Sequence, residues 1–145
     1  MRDGGLGEAE RGLNHFMRRG SFIPAYYFSI LLWIMASLPG DELQKIQSYP
    51  KNPLLRVILS DPFMHFLVFG LLALLICRGF YGRSRRSIPL AIVAGLAISY
   101  GLLIEVYQGI LPWRTFGLDD LVWNTVGVLS FMVPVRVFKD GATVG

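Results

Sequence analysis

Seven polar residues stand at spacings that could support chemistry. Asp61 and His65 are four apart, one helical turn, and Asp120 and Asn124 repeat that spacing. Glu105 and Gln108 are three apart and share a helix face. Arg114 lies between the second and third of these pairs. Carboxylates beside an imidazole are the parts of general acid–base catalysis. Glu105, His65 and Asp120 are therefore the candidate catalytic residues, with Glu105 or Asp120 as base and His65 assisting. A guanidinium suits phosphate or carboxylate and would stabilise developing negative charge. Arg114, with Asp61, Gln108 and Asn124, forms the candidate ligand-binding set. A metal version would take Asp61, His65, Glu105 and Asp120 as ligands, but no tight motif such as H-E-x-x-H is present. No metal and no cofactor is assigned. The plain alternative is that these groups bind one another and lock helices together.

The elements that must position them are apolar. Of 145 residues, 53% are hydrophobic and 17% charged, and mean hydropathy is +0.49. A soluble domain carries roughly 25% charged residues. The net charge is +4, but the basic residues cluster between long apolar runs, a membrane pattern that excludes nucleic acid as the expected partner. The single cysteine, Cys77, allows no internal disulfide and reads as a small apolar filler.

Four apolar helices are predicted, at about 22–38, 62–80, 88–111 and 118–138. Each is near the ~20 residues that cross ~30 Å of hydrocarbon. The fold class expected is all-α, a polytopic four-transmembrane-helix bundle forming one domain, with tails at 1–21 and 139–145. Pro134 is the weak point of the fourth helix. The first run follows Arg18 and Arg19, but it is longer than the 7–15 residues of a signal sequence and lacks an A-x-A-like site. It is expected to stay as a membrane helix. The loop 39–60 is expected to hold a short helix at Asp41–Gln47 or to cover a pocket.

With the N-terminus inside, inner segments hold ten basic residues and outer segments only Lys45, Lys51, Arg56 and Arg114. The segment from Arg78 to Ser87 alone holds four arginines, an anchor against anionic headgroups. The positive-inside rule then predicts both termini in the cytoplasm. Glu105 falls six residues before the outer end of its run, ~9 Å deep. All seven polar residues then share the outer third of the membrane. A carboxylate in hydrocarbon costs a few kcal/mol, so it faces the bundle interior or water and has a partner. The aromatics Trp33, Trp113, Trp123, Tyr26, Tyr27, Tyr100 and Tyr107 are read mostly as interfacial anchors.

In order, Asp61-x-x-x-His65-Phe66, Ile104-Glu105-x-x-Gln108, Pro112-x-Arg114-x-Phe116 and Asp120-x-x-x-Asn124-Thr125-x-Gly127 resemble the VanZ-like family. The likeness runs from Asp61 to about Val128. Pro62 stands where the family usually has Lys, and Asp119 is an extra acid. The resemblance implies the fold, the site and a bacterial cytoplasmic (inner) membrane. The family's namesake accompanies glycopeptide-resistance genes and lowers susceptibility to teicoplanin. Three functions are expected as alternatives. One is a cell-envelope accessory protein whose outer pocket binds a lipid-linked or amphiphilic molecule. Another is a membrane enzyme acting on a lipid-linked envelope substrate. The last is a structural or partner-binding membrane protein. The bilayer is the expected partner, and oligomeric state is open.

Overall fold

The computed structural model describes residues 21–40, 45, 51–83 and 89–141. The tail 1–20, Arg85 and Arg86 of the arginine cluster, and the helix expected over 41–47 (Lys45 apart) lie outside the described residues. The order is α1 (Ile23–Ser37), α2 (Pro53–Ile58), α3 (Asp61–Arg83), α4 (Leu90–Ile110) and α5 (Leu118–Gly141). Among the described residues there is no strand.

Among the described residues, three helices are long and apolar enough to cross a membrane. Their spans are Asp61–Tyr81, Leu90–Ile110 and Leu118–Val135. The first helix is apolar but has 15 residues, a rise of ~22 Å against ~30 Å of hydrocarbon. Its end has a local cause. Leu38 is extended, at φ −68° and ψ 144°, because it precedes Pro39 and proline disfavours the helical region in the residue before it. Pro24 suits the first turn of α1, where no backbone donor is needed. Pro62 occupies the same position in α3. Pro134 lies inside α5, which nevertheless runs on to Gly141. The helix thus passes the point where the apolar run was weakest and extends beyond the predicted 138.

Large apolar side chains cover the outside, Leu103, Val122, Leu129 and Val133 among them, each more than half exposed. Water would not tolerate so continuous an apolar surface, whereas lipid is its natural solvent. The chain is a membrane helical bundle. Inside, Phe69, Leu72, Ala73, Cys77, Val93, Ala97, Val128 and Met132 form the core shared by α3, α4 and α5. Cys77 is fully buried there, as an apolar filler would be.

The tightest approach is between α3 and α5. A Cβ on Gly127 would stand 2.8 Å from the carbonyl carbon of Phe66 and closer still to its oxygen. Only hydrogen fits, so two backbones meet directly, one residue from His65. The α1 helix is held differently. Tyr100 donates to the Ser29 carbonyl at 2.6 Å, and the Tyr107 hydroxyl is 3.1 Å from Ser37 Oγ. Trp113 Nε1 donates to the Ser37 carbonyl at 3.3 Å, and the Trp33 and Tyr107 rings stack 4.4 Å apart. Three aromatics expected as interfacial anchors (Tyr100, Tyr107 and Trp33) therefore fasten α1 to α4.

Candidate functional site

α3 and α5 begin, and α4 ends, at one end of the bundle. Asp61, His65, Glu105, Gln108, Asp120 and Asn124 all lie within two turns of those helix ends, and Arg114 is in the short loop joining α4 to α5. The structure thus brings the predicted set to one end, and side-chain contacts divide it into two groups.

The first group is buried between α3, α4 and α5. Glu105 and Asn124 are fully buried. His65 Nδ1 is 2.9 Å from Asn124 Oδ1. An amide oxygen only accepts, so Nδ1 carries the hydrogen and donates. The same nitrogen is 3.9 Å from Glu105 Oε1, and Nε2 is 3.7 Å from Asp120 Oδ1. The Phe69 ring, one turn along α3, lies parallel to the imidazole at 6.3 Å and backs it. The Gly117 N–H donates to Glu105 Oε2 at 3.2 Å. Glu105 Oε1 has no hydrogen-bond partner, and neither has Asn124 Nδ2.

Gly117 was not among the expected residues. Its signal is steric: a Cβ there would lie 2.5 Å from Asp120 Oδ2. A side chain there would push the Asp120 carboxylate aside.

The second group faces a cavity of about 190 Å³ between α1, α3 and α4. Its polar lining is Asp61, His65, Gln108 and Arg114. Leu32, Met35 and Ala36 from α1 and Phe69 from α3 supply apolar wall. With its amide oriented by its neighbours, Gln108 accepts from Arg114 Nη2 and, at 3.1 Å, from Nε. That fixes the guanidinium at the cavity while leaving other N–H groups for a ligand. Asp61 is exposed and lines the cavity, but it does not join the close group of His65, Glu105 and Asp120. His65 belongs to both groups: it lines the cavity and it touches the buried acids. Such an arrangement can hold a molecule with a polar head and relay a proton between that head and the carboxylates.

Comparison with known proteins adds the following. The family described as VanZ/LLP1 matches residues 26–139. An uncharacterized protein of Schizosaccharomyces pombe (strain 972) is 39% identical over 75 residues, which cover 52% of this chain and 46% of that protein. The match therefore spans less than half the length of that relative. No solved structure matches.

Proposed function

The chain belongs to the VanZ/LLP1 family, and from that premise we propose that it binds a lipid-linked or amphiphilic molecule in an outward-facing polar pocket, as a cell-envelope accessory protein. One observation carries this reading: the 190 Å³ cavity has apolar walls and a polar end built by Asp61, His65, Gln108 and Arg114. That is the lining an amphiphile requires, since its head needs charge and hydrogen bonds and its tail needs hydrocarbon. The seam between α1, α3 and α4 supports it further. A second hollow of about 320 Å³ lies along the same three helices, among Ala25, Leu72, Ile76, Phe80 and Leu96. A tail leaving the polar end would find apolar surface there. Arg114 holds an anionic head, as guanidinium suits phosphate or carboxylate.

Native-lipid nanodiscs and mass spectrometry test this. The wild type should retain an anionic amphiphile enriched over the surrounding membrane. Arg114→Ala should weaken retention by about ten- to a hundredfold, the loss of a hydrogen bond to charge worth about 1.5–3 kcal/mol. Equal retention by wild type and variant, at normal protein level, would sink the reading.

A second reading has its own observation. His65 contacts the buried acids and faces the cavity. On this reading the chain is an enzyme acting on the bound lipid-linked molecule. Glu105 or Asp120 is the base, His65 shuttles the proton, and Arg114 offsets the developing charge. If neither reading holds, the same contacts serve only to lock helices.

We place the chain in a bacterial cytoplasmic membrane with both termini inside, which requires the 15-residue α1 to span as a fourth helix beside the three long enough to cross. The VanZ-like site motifs and the arginine count support that placement, although a yeast relative means that family membership alone does not specify a bacterium. A change in glycopeptide (teicoplanin) susceptibility on expression is the phenotype to score. Topology has a direct check. A cysteine at Thr115 should react with an impermeant maleimide added outside, and one at Arg86 only after the membrane is opened. Labelling of position 86 from outside would reverse the orientation and move the pocket to the inner face.

A further inference from the structure

We propose that His65, Glu105 and Asp120 form a binding site for a divalent cation of the zinc or manganese class. One ligating atom from each of the three lies within 4.8 Å of the other two. They come from three helices, α3, α4 and α5, so the fold and not a local turn assembles them. Two hard oxygens and one imidazole suit a borderline or hard divalent ion and do not suit the soft ions that thiolates select.

Two further observations point to an ion. Glu105 is fully buried, and its Oε1 has no hydrogen-bond partner, while Oε2 is held by the Gly117 N–H. A bare carboxylate oxygen in the interior is costly unless a cation or a proton sits on it. It is 3.9 Å from His65 Nδ1, so it faces the imidazole and not the lipid. The other observation is the tautomer. Asn124 Oδ1 takes the hydrogen of His65 Nδ1, which leaves the lone pair on Nε2, 3.7 Å from Asp120 Oδ1. A second group that fixes the far nitrogen is what orients metal-bound imidazoles.

The distances need only a small closure. Bonds of about 2.0–2.2 Å put tetrahedral donor atoms about 3.4 Å apart. The widest separation allowed, 4.8 Å, would have to close by about 1.4 Å through side-chain rotation. Three protein ligands leave a coordination position open, the pattern of reactive and not of structural sites. Of the three ligands, His65 also lines the cavity. Asp61, a fourth ligand on sequence grounds, is outside the group. The site stands whether or not the cavity holds an amphiphile.

Metal alone tests it. Wild-type protein in nanodiscs is stripped with chelator and titrated with Mn²⁺ and, separately, Zn²⁺. Bound metal is measured by elemental analysis and stability by thermal unfolding. One equivalent should bind and raise the melting temperature in proportion to the logarithm of metal concentration. Glu105→Gln, His65→Gln and Asp120→Asn should each weaken uptake at least tenfold. Wild type that takes up no stoichiometric metal overturns the proposal on its own, whatever the variants do. Uptake unchanged in all three variants, meaning adventitious surface binding, overturns it too. So does a Glu105→Gln variant that is as stable as metal-loaded wild type, because the orphan oxygen would then be a protonated carboxyl.

Discussion

On the enzyme reading, Glu105→Gln should lower turnover of the proposed lipid-linked substrate about a hundredfold or more while leaving its retention unchanged. The magnitude is that of losing a positioned acid–base group. The substitution suits the question because it changes charge and almost nothing else. Glutamine has the volume of glutamate and keeps a carbonyl oxygen that can accept from the Gly117 N–H, as Oε2 does. It cannot take a proton from His65 or hold a cation. Retention should persist because Gln108, Arg114 and Asp61 line the cavity and Glu105 does not. The checks are product formation and retained amphiphile, measured on the same nanodisc preparation. Loss of both together would mean that Glu105 shapes the pocket. Loss of the protein from the membrane would mean that it locks helices. Full turnover would remove Glu105 from any catalytic role.

Gly127→Leu should prevent the bundle from assembling, and Gly127→Ala should destabilise it by about 1–3 kcal/mol, the usual cost of overpacking. The obstacle is the backbone of Phe66, 2.8 Å from the carbonyl carbon to an added Cβ, which cannot rotate away. Helix α3 would have to withdraw from α5, taking His65 away from Asn124 and Asp120. Gly95→Ala is the matched control. Nothing lies within 4 Å of a Cβ there, so alanine should be neutral or stabilise by up to about 1 kcal/mol through helix propensity. Thermal unfolding in detergent compares the pair. Equal melting temperatures for the two alanine variants would refute the packing argument.

That these polar residues gather at one end of the bundle was legible in the sequence because helical spacing is reliable over one turn. Asp61 with His65, and Asp120 with Asn124, share faces because a separation of four turns the helix by only ~40°. The pair Glu105 and Gln108 shows where this reading thins. A separation of three leaves them ~60° apart, enough to split their work. Glu105 meets Gly117 and His65, while Gln108 meets Arg114 and the cavity. The role of Gly117 was not legible, because a backbone donor has no residue signature. Nor was the contribution of α1. Its run of isoleucine, leucine and aromatics carries no polar spacing, so nothing distinguished Leu32 and Met35 in the wall from lipid-facing neighbours. The boundaries shifted for reasons of geometry: Pro39 stops α1 at Ser37, whereas Pro134 does not stop α5.

The attachment of α1 has a consequence for how such a site could diversify. The helix is held in part through its own backbone carbonyls, Ser29 to Tyr100 of α4 and Ser37 to Trp113 of the α4–α5 loop, and every residue presents a carbonyl. Cavity-facing Met35 can therefore change size without breaking those bonds, whereas Leu32 is also part of the buried core. The polar end, spread over α3, α4, α5 and their loop, has no such freedom. On the proposed reading α1 is a gauge. Exchanging Met35 for larger or smaller apolar residues would select the girth of the tail admitted, with the head handled as before.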